Sequence, residues 1–263
     1  MHVSEFKRTC ATKVEINGHT LRGTEHGLCT LIKKGPLGPF SIGGFMEIKL
    51  RNVTLNYVVE GQGKPLLLIH GNQENLDIFD ALSKALKSNY TVYRMDLRNH
   101  GKSEHHVPLS YDLMAEDIFW FIQRLNIEKP SVFGFSDGGI IGLMLVINHP
   151  TLVEKLMIAG TNTRPNGMRY KVVKAMERKF LETKSMYYQL MITQPFIKKK
   201  ALRSIQVPVL SFLGEKDLIL RKHAKMIVKQ LPHAQLTIIP KARHEDYIVH
   251  NDLLAPHIKA FLE

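Results

Sequence analysis

Cysteine is nearly missing from this chain: 263 residues hold two, Cys10 and Cys29, and both lie in the first 45 positions. That excludes a disulfide framework over the remainder, and a reducing compartment such as the cytoplasm is the expected setting. Long apolar runs are missing as well. No stretch approaches the roughly 18 uncharged residues of a membrane span, and the first residues lack the apolar segment of a secretory signal. No phosphate-cradling glycine loop, dinucleotide fingerprint or metal-ligand cluster occurs, so neither cofactor nor metal is expected. Acidic residues are the last shortage: 24 against 36 lysines and arginines leave a net charge of +12. No nucleic-acid recognition motif accompanies that charge, so a nucleic-acid partner is not expected.

The excess charge is unevenly placed. Residues 1–45 carry +3 and residues 46–263 carry +9, while the segment 164–203 alone sets 11 basic residues against Glu177 and Glu182. The rest of 46–263 is therefore balanced. Met168, Val172, Val173, Met176, Phe180, Tyr187, Leu190, Met191 and Phe196 interleave with those charges at helical spacing. One face of such helices turns inward and the basic face meets water. A basic wall beside a cleft can steer an anionic substrate, although lysines on a solvated face are the commoner case.

The first 45 residues stand apart. Gly35 to Gly44 reads as a turn-rich linker, and the domain pattern starts cleanly at Met46. Residues 1–45 are expected to be a weakly ordered extension, or a fusion remnant, with no catalytic part. A strand pair around Lys13–Arg22 with Asn17-Gly18 as its turn is the alternative. From Met46 onward 218 residues suffice for one domain with a large core. Short apolar runs alternate there with helical patterns. Met46–Leu50, Val53–Val59, Leu66–Ile69, Thr91–Met95, Ser131–Phe133, Val153–Ala159, Val207–Phe212 and Leu236–Ile239 read as strands. Leu76–Leu86, Ser110–Leu125, Gly138–Asn148, Lys222–Leu231 and Leu253–Leu262 read as helices. About eight strands, mostly parallel and flanked by helices, follow: an α/β fold.

Gly134-Phe135-Ser136-Asp137-Gly138 falls where one of those strands meets a helix. A serine in so sharp a turn has a strained backbone and needs small neighbours, which Gly134, Gly138 and Gly139 supply. A serine hydroxyl is a poor nucleophile, so it needs a base, and the base needs an orienting carboxylate. Asp217 follows the strand ending near Phe212, and His244 follows the strand ending near Ile239. Both lie past strand ends, where open parallel sheets place their sites. Glu215 and His250 are the nearest competitors, but Glu215 leaves its turn earlier and His250 sits where Tyr247-Ile248-Val249 reads as the start of the last helix. Acyl transfer builds negative charge on a carbonyl oxygen, so two backbone donors are expected. They are the N–H of Asp137 and the N–H of Asn72, in the His70-Gly71-Asn72-Gln73 loop. His70 itself reads as a brace.

These pieces, with Asp96-Leu97-Arg98-Asn99-His100-Gly101-Lys102-Ser103, resemble the α/β-hydrolases of the small, esterase-like kind, over roughly Met46 to Glu263. The order Ser136, Asp217, His244 is the order of that family. Two departures occur: Asn99 and Gln73 stand where the family usually has glycine. The resemblance implies an eight-stranded α/β-hydrolase fold with a short helical cap at about 164–203. It also implies a serine hydrolase acting on a small carboxylic ester, possible anionic substrates included. Ser136 would attack, His244 act as base and Asp217 orient it. Thioester or carbon–carbon hydrolysis are alternatives, and a slow-turnover receptor that keeps the triad is a reading of another class. The sequence leaves the oligomeric state open.

Overall fold

Leu66, Leu67, Leu68 and Ile69 are all fully buried, which is what a strand covered on both faces requires. Their side chains alternate: Leu66 and Leu68 join one core, Leu67 and Ile69 the other. The same alternation divides Val132 from Phe133 and Phe135, and Leu156 and Ile158 from Met157 and Ala159. The computed structural model describes residues 13–16, 19–22 and 44–263. Within them a sheet of eight strands separates the two cores. Cys10, Cys29, the Gly35–Gly43 stretch and the Asn17-Gly18 turn lie outside the described residues.

Two short strands come first, β1 (Lys13–Ile16) and β2 (His19–Arg22), paired antiparallel with Lys13 opposite Arg22. They belong to a compact unit spanning Met1–Gly38, and the large sheet belongs to a second unit, Pro39–Glu263. The sheet contains β3 (Met46–Lys49), β4 (Thr54–Gly61), β5 (Lys64–Ile69), β6 (Tyr90–Met95), β7 (Ser131–Phe135), β8 (Leu156–Ala159), β9 (Val209–Gly214) and β10 (Ala234–Ile239). Its order is β10-β9-β8-β7-β5-β6-β4-β3, parallel except where β4 meets β3 and β6. Helices α1 (Asp80–Leu86) and α8 (Ala255–Leu262) cover one face; α2 (Tyr111–Arg124), α3 (Asp137–Asn148) and α7 (Arg221–Gln230) cover the other. Between β8 and β9 the chain makes α4 (Tyr170–Thr183), α5 (Met186–Thr193) and α6 (Lys199–Arg203).

Boundary differences have local causes. The pattern over Leu76–Leu86 divides into a single 3-10 turn, Leu76–Phe79, and then α1. Asn75 caps that turn by accepting from Asp77 N. Helix α2 starts one residue inside its pattern because Ser110 is its cap, accepting from Leu113 N at 3.2 Å. The last helix begins at Ala255 and not near Tyr247, a correction with a consequence for the site: the Tyr247 side chain is buried among the triad residues.

Candidate active site

Ser136 is the single residue between β7 and α3, with φ 52° and ψ −113°. Such an angle is costly for a residue with a Cβ, and the surroundings hold it. Its N–H donates to Ala159 O at 2.8 Å on the neighbouring strand, and its carbonyl accepts from Gly139 N at 3.0 Å. A Cβ at Gly138 would strike the Ile69 carbonyl, and one at Gly134 would strike the backbone of Gly138. Helix α3 can therefore start directly against the sheet only with glycine at both places.

His244 joins the serine to a carboxylate. Its Nε2 is 3.0 Å from Ser136 Oγ and its Nδ1 is 2.7 Å from Asp217 Oδ1. An ionised carboxylate only accepts, so the proton sits on Nδ1 and the Nε2 lone pair faces the serine. Asp217 is 1% exposed. Burial alone would raise its pKa, but the His244 hydrogen bond and charge, with the N–H groups of Ile219 and Gly214, bring it below the usual carboxylate value. Tyr247 Oη donates to Asp217 Oδ2 at 3.2 Å. Space for the imidazole comes from Gly160, with φ 58°: a Cβ there would lie 2.5 Å from His244 Cε1. The sequence competitors are elsewhere. Glu215 accepts from Lys241 N at 2.8 Å on the surface, and exposed His250 pairs with Asp80 at 2.9 Å.

The loop after β5 lies across the nucleophile. His70, fully buried, accepts from Leu97 N at its Nε2 (3.0 Å) and sets Nδ1 2.7 Å from Gly71 O. Burial, then the neighbouring His100, lowers its pKa to about 3, so it is a neutral brace. Gln73 and Asn99, the two family departures, both occupy the left-handed region, at φ 59° and 61°. Glycine would be the easier residue there. Among the described residues neither Asn72 N–H nor Asp137 N–H has a hydrogen-bond partner. The two side chains meet each other: Asn72 Nδ2 donates to Asp137 Oδ2 at 2.8 Å, tying loop to helix.

Glu74 was not legible as a site residue. Its Oε2 accepts from Gly71 N at 2.7 Å, holding the loop's turn. Burial raises its pKa to about 7, against the pull of the Gly71 N–H and the His244 charge. A carboxylate three residues beyond a turn glycine was the available signal.

The side chains of Ser136 and His244 open on a cavity of about 180 Å³, room for on the order of ten water-sized groups. Met168, Met176, Tyr188 and Met191 close it from the segment between β8 and β9. Not every apolar residue of that segment turns inward: Phe196 is 72% exposed, and the Tyr187 hydroxyl donates to Asn99 O. Arg169 fastens the start of α4 by donating from Nε to Asp217 O at 2.7 Å. No set of three or more His, Cys, Asp or Glu side chains able to hold a metal occurs among the described residues. No helix among them is long and apolar enough to cross a membrane.

The family model of the alpha/beta hydrolase fold matches residues 64–188. A Haemophilus influenzae protein bearing an esterase/lipase name is 35% identical over 121 residues, covering 46% of this chain and 42% of that protein. The sn-1-specific diacylglycerol lipase of Danio rerio is 34% identical over 40% of this chain and 35% of its own length. An ethanol acetyltransferase of Hanseniaspora uvarum is 30% identical over 40% of this chain and 31% of its own. The chain thus spans less than half the length of these curated relatives. Among solved structures, the naproxen esterase of Bacillus subtilis superposes with a TM-score of 0.71 at 17% identity, covering 84% of this chain and 92% of that one. That likeness is one of fold.

Proposed function

We propose that the chain is a serine hydrolase of the α/β-hydrolase superfamily that cleaves small carboxylic esters. The observation that carries this reading is the continuous hydrogen-bonded line from Ser136 Oγ through His244 to Asp217, at the rim of a cavity.

Ser136 Oγ attacks the ester carbonyl carbon while His244 Nε2 takes its proton. The imidazolium so formed is held by Asp217, whose low pKa keeps it ionised for that task. The carbonyl oxygen, now negative, is received by the N–H groups of Asn72 and Asp137, which the structure leaves without protein partners among the described residues. Collapse breaks the bond to the alkoxy oxygen, and the leaving alcohol takes the proton from His244. A water then loses a proton to His244 and adds to the acyl carbon, releasing the acid and restoring Ser136. Residues 164–203 act as the cap over this chemistry, residues 46–263 form the catalytic domain, and residues 1–45 take no part. The absence of cysteine from Met46 onward fits a cytoplasmic setting.

Relatives named as alcohol acetyltransferases favour a second reading, in which an alcohol replaces water at the acyl-enzyme. Both share the first half-reaction. A panel of p-nitrophenyl esters and one acyl thioester, with and without ethanol, separates them: hydrolysis yields acid alone, transfer yields ethyl ester. Ser136→Ala is expected to lose on the order of a millionfold in kcat, and Asp217→Asn about ten-thousandfold. Turnover by Ser136→Ala at the unsubstituted rate would overturn the reading.

A further inference from the structure

Helices α4 and α5 close the cavity, yet they are held to the rest of the domain almost wholly by apolar contact. No residue of α4 is buried, and its ion pairs, Lys174 with Glu177 and Lys179 with Glu182, are internal to it. The flanks of the two helices are fastened: Arg169 N donates to Leu218 O at 2.9 Å, and Ile197 N to Thr163 O at 3.0 Å. Between those points, among the described residues, one side chain makes a hydrogen bond that leaves the segment. It is Tyr187, whose hydroxyl donates to the Asn99 carbonyl.

The anchor of that bond is rigid. Asn99 stands where the family usually has glycine, at φ 61°. Glycine takes such an angle at less cost, but it lacks what this side chain supplies. Asn99 Nδ2 donates to Val107 O at 2.8 Å and its Oδ1 accepts from Val107 N at 3.1 Å, so the loop is closed on itself. Next to it Arg98 grips buried Asp117 with two bonds of 2.6 Å, and Asp96 accepts from Lys102 N at 2.8 Å. His100, 4% exposed, sets Nδ1 2.8 Å from Arg98 O and meets the Tyr187 ring edge-on, with centroids 5.1 Å apart. Tyr187 is thus held at ring and hydroxyl by a loop that is itself fixed.

Helix geometry carries this hold to the cavity. Leu190 and Met191 lie three and four residues after Tyr187, so all three share one side of α5. Leu190 is buried in the core, while Met191 and the adjacent Tyr188 line the cavity beside Ser136, with Met176 of α4. A roll of α5 that released Tyr187 would also withdraw Met191 and Tyr188. We propose that Tyr187 is a positioning residue that limits the length of the acyl group. Its tether to Asn99 keeps Met191 and Tyr188 over the acyl site, so short acyl groups fit beneath them and longer chains have to break the tether. The proposal rests on the ester-hydrolase reading and adds to it the residue that sets acyl length. One net hydrogen bond shifts a two-state balance by roughly two- to tenfold, which bounds the selectivity that the tether confers.

Tyr187→Phe keeps the ring against His100 and removes the donor. In the full chain, the kcat/KM ratio of p-nitrophenyl hexanoate to p-nitrophenyl acetate is expected to rise about fivefold in this variant. Lost stability alone lowers both rates together and leaves the ratio unmoved. Tyr170→Phe, 74% exposed on the same segment, is the control and should leave the ratio as it is. Asn99→Gly, which frees the anchoring loop, should raise the ratio too. The double variant should gain less than the product of the two, because both act on one contact. An unchanged ratio in Tyr187→Phe, an equal rise in Tyr170→Phe or a fully multiplicative double variant overturns the proposal. Calorimetric titration with hexanoyl anilide, an amide of similar shape, reads the same limit without turnover: Tyr187→Phe should bind it about fivefold more tightly. Unchanged or weaker binding overturns the proposal, whether or not any ester is cleaved. Failure to cleave both esters, with the tighter binding intact in titration, removes the hydrolase reading instead.

Discussion

At the scale of single residues, burial raises the pKa of both Asp217 and Glu74, and only Asp217 has the hydrogen-bond donors and neighbouring charge to reverse it. Asp217 has enough donors to keep its pKa low, whereas Glu74 has one N–H and ends near 7. The sign of each effect on stability follows. Asp217, with a folded pKa below its unfolded one, contributes stability at neutral pH that is lost as pH falls through the folded value. Glu74 is the reverse: between about 4.5 and about 7 the folded chain holds a proton that the unfolded chain releases, so stability declines as pH rises. Glu74→Gln keeps an oxygen for Gly71 N and removes the charge. Urea unfolding at about pH 8 should find this variant more stable than the unsubstituted chain by about 2 kcal/mol, the gap closing towards pH 4.5. A gap that did not change with pH would refute the assignment of a raised pKa to Glu74.

At the scale of elements, the decisive contact is the approach of α3 to the sheet. Gly138 meets the carbonyl of Ile69, which is backbone and cannot yield; Gly142, one turn on, meets only Leu156 Cδ1 at 2.9 Å and Val132 Cγ1 at 3.8 Å. Gly138→Ala should therefore displace α3 and cost about 3 kcal/mol or more, of the order of other core overpacking. Gly142→Ala should stay within about 1 kcal/mol, because the helix propensity of alanine offsets a small side-chain shift. Denaturant midpoints of the two variants compare them, and equal losses would contradict this account of the turn. The same elements explain what was legible beforehand. Ser136 could be read because the glycines that permit its turn are near neighbours in the chain, and Asp217 and His244 because each follows a short apolar run of strand character, β9 fully buried and β10 at the half-exposed edge of the sheet. Tyr247, Gly160 and Glu74 could not be read in this way. Tyr247 reaches an aspartate 30 residues away, from a segment whose apolar pattern imitates a helix. Gly160 matters only through the imidazole of a residue far along the chain, and Glu74 only through a loop folding back on itself.

At the scale of the whole molecule, charge and chemistry are separated. The basic excess of residues 164–203 lies on a segment whose cavity-facing members include methionines and a tyrosine, while the floor beneath it is acidic. Net charge thus describes the outer face of that segment and not the lining of the cavity. The eight-stranded sheet supports the separation: β7, β9 and the edge strand β10 deliver Ser136, Asp217 and His244 to one rim, and residues of the β8–β9 connection line the cavity beside them. The most direct test of that convergence is the intact mass of the full chain after exposure to a fluorophosphonate, with peptide mapping of the adduct. The expected result is one stoichiometric adduct on Ser136, formed slowly or not at all in His244→Ala. A folded chain that stays unlabelled, or carries its adduct on another residue, would contradict the account.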